Sequence, residues 1–275
     1  MIKEKPNIRK SNMCFLFCII FQVVGIMTVP FFGVLGGQMA IYFLTFLFGL
    51  FLSMMNKSEL SVPLEVPKPK ITLLVSLITI CGIPIAMLLN ALAGVFTTAG
   101  ADDASDVNKY PLWVAVICFA ATPGIVEEFI FRGIILEEYL KEGTRAAVLI
   151  SSIYFALLHF SLGSVLYGFF FGIIFALVRI GTGNLSYTII MHCLFNLINV
   201  LLSYIPLNKI TNLMLVLFMG VGIIAFVITM RMFVKKYPVA LTKSNHKWYR
   251  LITKEGYITM AVCFAIMGLF LMMNY

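Results

Sequence analysis

Residues 111–136, PLWVAVICFAATPGIVEEFIFRGIIL, form an apolar stretch that carries three charged side chains. A helix needs about 20 predominantly apolar residues to cross the hydrocarbon core of a membrane. The charges are Glu127, Glu128 and Arg132, and they lie well inside this stretch. Ionisable side chains in a membrane-spanning segment are costly, face the protein interior and indicate a functional site. The stretch therefore predicts both a membrane fold and the position of its chemistry.

The rest of the chain has the composition of a polytopic membrane protein. Of its 275 residues, 61% are hydrophobic and 12% are charged, whereas a soluble domain carries about 25% charged residues. We expect an all-α, polytopic transmembrane helical bundle of eight or nine spans, without a soluble domain. The net charge of +8 is explained by basic cytoplasmic loops. No nucleic-acid-binding motif is present, so we expect no nucleic-acid partner.

Nine apolar segments define the predicted spans. Pro30 and the pair Gly36-Gly37 are expected to divide the first long apolar run in two. The fifth and sixth segments are short, so they could be re-entrant or tilted, which leaves the count at eight or nine. The predicted spans are 12–34, 38–55, 71–97, 111–136, 146–160, 163–180, 184–204, 210–232 and 257–274.

Charges in the loops predict the orientation of these spans. Lysine and arginine concentrate on the cytoplasmic side of membrane proteins. The basic N-terminal tail and the basic loops 57–70 and 234–256 would be inside, and the acidic loop 98–110 outside. This alternation predicts an internal N-terminus and, with nine spans, an external C-terminus. Because the loops are short and no further domain is present, we expect a bacterial plasma membrane protein.

Polar residues also occur inside two further predicted spans. His159 ends the sequence FALLH, residues 155–159, and His192 and Asn196 are the first and last residues of HCLFN, residues 192–196. With a rise of about 1.5 Å per residue, Glu127, His159 and His192 all lie roughly 13–21 Å from the ends of their spans. We therefore expect three helices to direct polar groups into one pocket.

Helical spacing indicates a different role for each of these groups. Glu128 and Arg132 are spaced i,i+4 and can pair on one face. Glu127 is turned by about 100° from Glu128, so it is expected to remain available as a general base. His192 and Asn196, also spaced i,i+4, could donate hydrogen bonds to a developing oxyanion.

Two expectations concern the surroundings of the site. The tripeptide Thr122-Pro123-Gly124 is expected to interrupt regular helical bonding and to open the bundle to water, because irregular backbone at membrane depth is tolerated where it lines a cavity. The glutamates at the cytoplasmic end of the same span are expected to form a solvated face. They are Glu137, Glu138 and Glu142.

Each polar motif alone also has a structural explanation. A Glu–Arg pair can clamp helices together, and an intramembrane His or Asn can join helices through hydrogen bonds. The joint occurrence of the motifs at one depth favours a functional site. A non-catalytic bacteriocin-immunity or scaffold protein that binds a peptide stays open as an alternative. A proton-coupled transporter is disfavoured, because the chain shows no paired repeat halves with matching broken helices.

The three motifs, in this order, resemble those of the CPBP (also called Abi) family of intramembrane proteases. That family includes the type II CAAX prenyl endopeptidases and bacteriocin-processing or immunity relatives. Its pattern EExxxR, FxxxH and HxxxN is matched by Glu127-Glu128 with Arg132, by Phe155 with His159, and by His192 with Asn196. The resemblance covers roughly residues 110–205. It divides the chain into N-terminal spans (1–109), a catalytic core (110–205) and C-terminal spans with a basic cytoplasmic loop (206–275).

The resemblance implies a membrane endopeptidase and a role for each matched residue. Glu127 and His159 would activate the attacking water, and His192 and Asn196 would stabilise the oxyanion. Glu128 and Arg132 would support the site. The substrate would be a membrane-associated protein or peptide within the lipid bilayer. A prenylated CAAX protein, a bacteriocin leader and a bacterial membrane regulator all stay open.

The resemblance leaves the cofactor open. Members of the family are commonly classed as metalloproteases, and a metal-free glutamate mechanism has also been argued for them. Glu127, His159 and His192 could supply three ligands to a divalent metal such as zinc. The chain lacks HExxH, the motif that places two zinc ligands and a catalytic glutamate on one helix.

Overall fold

The computed structural model describes residues 7–55, 64–95, 107–205, 212–244 and 246–273. Within these ranges the chain is all-helical and contains no strand. Seven helices of the described part are long and apolar enough to cross a membrane. The predicted fold class, a polytopic transmembrane helical bundle, is therefore confirmed. Several charges used to predict the orientation lie outside the described residues, namely Lys3, Lys5, Lys57, Asp102, Asp103 and Asp106.

We number the helices in chain order. They are α1 (Ile8–Met55), α2 (Pro69–Gly94), α3 (Leu112–Leu140), α4 (Thr144–Leu157), α5 (Leu162–Thr182), α6 (Leu185–Ser203), α7 (Asn212–Lys236), α8 (Trp248–Leu251) and α9 (Lys254–Met273).

The first helix, α1, folds back on itself as a hairpin. Gly33 has φ 71° and ψ 173°, a conformation that only glycine adopts readily. The rings of Phe17 and Phe48, on opposite arms, lie 4.3 Å apart between centroids. The division of this run was predicted from Pro30 and Gly36-Gly37, and the residue that turns the chain, Gly33, lies between them. Gly37 serves instead in packing, because a Cβ there would lie 2.8 Å from the backbone oxygen of Gly25.

The number of membrane crossings depends on how the α1 hairpin and the short helix α4 are counted. The seven long helices become eight crossings when the two arms of α1 are counted separately. The 14 residues of α4 extend only about 21 Å, less than the roughly 30 Å of the hydrocarbon core. This helix ends at Leu157, and Phe160 in the following turn has a positive φ of 52°. The chain therefore turns back beside His159 before α5 begins.

Helix α3 continues through Thr122-Pro123-Gly124, but its hydrogen bonding is irregular on both sides, with π-helical segments at Val116–Ala121 and Phe129–Ile135. The backbone N–H of Thr122 bonds to the carbonyl of Ile117, five residues earlier, as in a π-helix. The irregular bonding expected near this tripeptide is therefore present, and the opening of the bundle to water stays a prediction. The regular segment between the two π-helical segments, Thr122–Glu128, carries both glutamates of the motif.

Two large apolar clusters form the core of the bundle. One joins α1, α3, α4 and α9, and the other joins α2, α5, α6 and α7. Because α3 packs on α6 and α4 packs on α5, the two clusters meet in the middle of the bundle. The motif residues lie along this boundary.

Two of the three glutamates that follow the motif do not face solvent, so the predicted solvated face was wrong for them. Glu138 and Glu142 are buried, whereas Glu137 is partly exposed. Glu138 accepts a 3.0 Å hydrogen bond from the backbone of Asn7, and Glu142 lies 2.7 Å from Nδ1 of His246. Glu137 pairs with Arg179 at 2.5 Å. A charged group at a helix end can be buried when another segment supplies its partner, so these carboxylates connect α3 to the N-terminus, to α5 and to the loop before α8.

Candidate active site

Close packing of α3 on α6 brings the first and third motifs together. A Cβ on Gly124 would lie 2.5 Å from Sγ and 2.9 Å from the backbone nitrogen of Cys193. Only a residue without a side chain allows the two helices to approach this closely. Cys193 follows His192 in the sequence, and Gly124 precedes Glu127 by about one turn. The glycine therefore decides how near the glutamates are to His192.

Glu128 is the centre of a buried charged group. Its Oε1 accepts a 2.8 Å hydrogen bond from Nη1 of Arg132, the i,i+4 pair predicted from spacing. The same oxygen lies 3.0 Å from Nδ1 of His192. A carboxylate can only accept, so Nδ1 of His192 carries the proton. Because both Glu128 and Arg132 are fully buried, each stabilises the charge of the other, and removal of one would leave an uncompensated charge.

Arg132 connects the two apolar clusters. Its Nη2 donates a 3.1 Å hydrogen bond to the carbonyl of Gly172 on α5. The guanidinium lies over the ring of Phe155, 4.3 Å from the centroid, and 5.3 Å from the centroid of Phe175. A planar guanidinium can stack on aromatic rings while it donates at its edge, and a lysine ammonium cannot do both. This explains why an arginine fits the last position of the first motif.

Glu127 has a different environment from Glu128. Its Oε1 accepts a 2.9 Å hydrogen bond from the hydroxyl of Tyr42 on the second arm of α1. Its Oε2 is buried and has no hydrogen-bond partner among the described residues, and it lies 3.9 Å from Nε2 of His192. Oε2 of Glu128 is likewise buried without a partner among the described residues. What distinguishes Glu127 is that its carboxylate is bound by a tyrosine rather than by an arginine, and that its Oε2 faces a ring nitrogen.

A small cavity adjoins Glu127. Its volume is about 10 Å³, close to the smallest volume that holds one water molecule. It lies between α1, α3 and the end of α4, and three polar side chains besides Glu127 line it. They are Gln22, Tyr42 and Thr45.

His159 reaches the same region from the turn after α4. Its Nδ1 lies 3.0 Å from the carbonyl oxygen of Phe155. Because a carbonyl only accepts, Nδ1 carries the proton and Nε2 keeps its lone pair. The ring of Phe155 packs edge to face with both histidines, with centroid distances of 5.3 Å to His159 and 5.4 Å to His192. The second and third motifs therefore contact the same aromatic ring.

The remaining motif residue, Asn196, lies on α6 one turn beyond His192 and is partly exposed. The structure therefore brings Glu127, Glu128, Arg132 and His192 into one buried group. His159 adjoins this group through Phe155, and Asn196 follows it along α6.

The candidate metal ligands do not assemble into a metal site. Among the residues that the structure describes, no group of three or more His, Cys, Asp or Glu side chains lies close enough to hold a metal ion. Glu127, His159 and His192 do not form such a group. The side chains therefore do not fit a three-ligand zinc centre, and we derive no step through a metal.

Sequence reasoning missed two residues that shape the site, Tyr42 and Gly124. Tyr42 lies outside the three motifs, in a span that carries no motif, and its only signal is a phenol inside the apolar sequence AIYFLTF, residues 40–46. Gly124 was noted as a helix breaker, whereas its role is close packing. Neither contact can be inferred from spacing along one helix, because each joins two helices that are distant in sequence.

Comparison with known proteins supports the resemblance found in the sequence. Residues 109–198 match the family model described as type II CAAX prenyl endopeptidase Rce1-like. This segment contains all three motifs and confirms the family recognised from them. Neither a curated protein nor a solved structure matched the chain.

Proposed function

We propose that this chain hydrolyses a peptide bond of a membrane-associated protein or peptide, since residues 109–198 match the type II CAAX prenyl endopeptidase Rce1-like family model. The observation that carries the proposal is the contrast between the two glutamates. Glu128 is ion-paired with Arg132, whereas Glu127 is bound by the neutral hydroxyl of Tyr42 and directs its buried Oε2 toward His192. A carboxylate held in this way has the geometry of a general base.

We assign activation of the attacking water to Glu127 and His159. Oε2 of Glu127 would accept a proton from water as the water oxygen bonds to the peptide carbonyl carbon. Nε2 of His159 can accept a hydrogen bond from the same water, because Nδ1 carries the histidine proton. When the carbon–nitrogen bond breaks, the proton held by Glu127 would pass to the leaving amine. No other group has to supply or remove a proton over the whole reaction.

The oxyanion would be stabilised by His192 and Asn196. Its formation places a negative charge on the former carbonyl oxygen, and donors directed at that oxygen lower the barrier. Nδ1 of His192 already donates to Glu128, so donation to the oxyanion would use a proton on Nε2. Asn196 would donate through its amide nitrogen.

Glu128 and Arg132 act as positioning residues in this proposal. Glu128 fixes the ring of His192, and Arg132 fixes Glu128 while it also binds the carbonyl of Gly172. The site thereby links α3, α5 and α6. Since small displacements of reacting groups lower rates strongly, a rigid connection between these helices supports catalysis.

The location of the site indicates the class of substrate. Glu127 and His192 are buried in membrane-spanning helices, so the bond to be cleaved has to reach membrane depth. A protein or peptide anchored in the bilayer, such as one carrying a prenyl group, meets this condition. We propose a cytoplasmic N-terminus on the basis of the basic loops, and a bacterial plasma membrane on the basis of the short loops of this chain.

The test compares Glu127→Gln and His159→Ala with wild type in purified, reconstituted protein. The substrates are a farnesylated CAAX peptide, the same peptide without the lipid, and a bacteriocin leader peptide. Removal of a general base typically lowers rates by 10²–10⁴-fold, so we expect cleavage to fall by about that factor in both variants. Glu255→Gln makes the same chemical change as Glu127→Gln at a position outside the site and should retain activity.

Full cleavage by Glu127→Gln and His159→Ala would contradict the proposed mechanism. If wild type cleaves none of the substrates but the variants keep the binding of a peptide, the non-catalytic immunity or scaffold alternative is favoured. Thermal unfolding of each variant, recorded in the same detergent, separates a chemical loss from a loss of folding.

A further inference from the structure

An open cavity of about 550 Å³ lies at one end of the bundle, away from the candidate active site. It is formed where α2 begins at Pro69, α5 ends at Thr182, α6 begins at Leu185 and α7 ends at Lys236. Because the ends of membrane-spanning helices lie near the lipid headgroups, this cavity is at headgroup level. Its volume is in the range of sites that bind small molecules.

The lining of this cavity is cationic and rich in hydrogen-bonding groups. Three lysines, Lys68, Lys70 and Lys236, line it together with a single carboxylate, Glu65. The net charge of these four side chains is therefore positive. Neutral polar groups complete the lining, namely Thr182, Asn184, Tyr187 and Tyr237.

The segment that carries two of the lysines is held in place by α6. Asn184, which is buried, caps α6 by accepting from the backbone of Ser186 at 2.9 Å. Its amide nitrogen also donates a 3.1 Å hydrogen bond to the carbonyl of Glu65, and its amide oxygen accepts a 3.3 Å hydrogen bond from the backbone nitrogen of Glu65. The Tyr187 hydroxyl accepts a 2.9 Å hydrogen bond from the backbone nitrogen of Lys68.

These bonds order a non-helical segment, residues 64–68, against the start of α6. Lys68 and Lys70 are therefore brought to the cavity by a fixed backbone rather than by a free loop. A site whose backbone is already ordered loses less entropy when a ligand binds.

We infer that this cavity binds the phosphate group of an anionic membrane lipid. Basic pockets between transmembrane helices bind lipid phosphates, and each lysine near the surface contributes to the attraction. Tyrosine side chains are enriched at headgroup level, where the ring meets lipid and the hydroxyl meets water. The same lining could bind free phosphate, but the bilayer holds lipid phosphate at this depth at high local concentration. Bound lipid would brace the start of α6, about two helical turns before His192.

The test measures lipid binding with the full-length protein. Wild type and the triple variant Lys68→Gln/Lys70→Gln/Lys236→Gln are purified in detergent, and phosphatidylglycerol, phosphatidylcholine or inorganic phosphate is added. Bound lipid is counted by native mass spectrometry, and thermal unfolding is recorded in parallel. The matched control is Lys243→Gln/Lys247→Gln/Lys254→Gln, which removes the same charge from exposed lysines that do not line the cavity.

We expect phosphatidylglycerol to bind wild type and the control, and to bind the triple variant at least tenfold more weakly. Single lysine variants should each weaken binding by about fivefold. Raised thermal stability with inorganic phosphate alone, lost in the triple variant, would identify free phosphate as the ligand. Equal binding of phosphatidylglycerol by wild type and the triple variant would overturn the inference. Because the readout is lipid binding, the result is independent of whether the proposed proteolysis is correct.

Discussion

The hydroxyl of Tyr42 donates a 2.9 Å hydrogen bond to Oε1 of Glu127. The two residues are 85 positions apart in the chain, and one lies in the α1 hairpin while the other lies in α3. Because Oε1 is occupied, the unpartnered Oε2 is directed toward His192. The α1 hairpin, which carries no motif, therefore fixes the orientation of the carboxylate to which we assign the chemistry.

Tyr42→Phe removes this hydrogen bond and keeps the ring. We expect kcat for peptide cleavage to fall by about tenfold, because the carboxylate of Glu127 can then rotate, while KM should change little. A hydrogen bond to a charged group contributes about 1.5–3 kcal/mol, which is compatible with such an effect. The measurement is steady-state cleavage of the reconstituted enzyme. Tyr249→Phe, at an exposed position, is the control, and an unchanged kcat for Tyr42→Phe would contradict the proposed role.

Arg132→Lys should destabilise the protein although the charge is kept. Lysine cannot bind Glu128 and the carbonyl of Gly172 while it also lies over Phe155, and Arg132 makes all three contacts. We expect a loss of about 2 kcal/mol of stability. Arg132→Met should lose about 3–5 kcal/mol, because Glu128 then remains buried without a partner.

Thermal unfolding in detergent measures both changes, with the exposed Arg231→Lys as control. If Arg132→Met is as stable as wild type, the buried pair does not have the role assigned to it. The double variant Glu128→Gln/Arg132→Met removes both charges and should recover part of the stability of the single Arg132→Met change.

Gly124→Ala should separate α3 from α6. The new Cβ would lie 2.9 Å from the backbone nitrogen of Cys193, and a backbone atom cannot rotate away. Overpacking of this kind typically costs about 1–3 kcal/mol. We also expect the cleavage rate to fall by more than the loss of folded protein explains, because Glu128 and His192 move apart.

Gly220→Ala on α7 is the matched control, since a Cβ there meets nothing within 4 Å. Removal of the cysteine side chain, in Gly124→Ala/Cys193→Ala, should not restore activity, because the backbone contact persists. Full activity of Gly124→Ala would show that the helices do not need this close approach.

Gly256→Ala tests a buried polar group that lies far from the site. In this group Asn12 connects α1 to α3, α4 and α9. The amide nitrogen of Asn12 donates a 3.0 Å hydrogen bond to the Tyr139 hydroxyl, and the amide oxygen accepts a hydrogen bond from the hydroxyl of Tyr154. A Cβ on Gly256 would lie 2.0 Å from that oxygen. Displacing Asn12 leaves buried polar groups unpaired, which costs about 1–3 kcal/mol.

Thermal unfolding should therefore show a clear loss for Gly256→Ala. Gly268→Ala on the same helix has nothing within 4 Å of its Cβ and should be neutral or slightly stabilising. Equal stability of the two variants would contradict the packing described for Asn12.

Parts of the fold were predictable because they depend on local properties. Apolar length predicted membrane-spanning helices, and the i,i+4 spacing predicted the pairing of Glu128 with Arg132. The division of α1 was predicted from Pro30 and Gly36-Gly37, and the turn lies between them at Gly33, because several nearby glycines and the proline carry similar local signals. Only contact between the two arms distinguishes a glycine that turns the chain from one that packs.

The glutamates that follow the motif show the same limit. Glu138 and Glu142 looked exposed because charged residues at a helix end usually face water. Glu138 pairs locally with Lys141, but its second partner, Asn7, and the partner of Glu142, His246, come from segments far away in the chain. No local pattern predicts a partner of this kind.

The sequence by itself determined the class of fold, the match of residues 109–198 to a family model and the set of candidate site residues, because apolar length and motif spacing can be read along single helices. The tertiary structure decided which of those side chains meet. Close approach at Gly124 brings Glu128 to His192, and the α1 hairpin brings Tyr42 to Glu127. Such contacts depend on how distant helices pack, and packing is determined by the whole set of side chains between them.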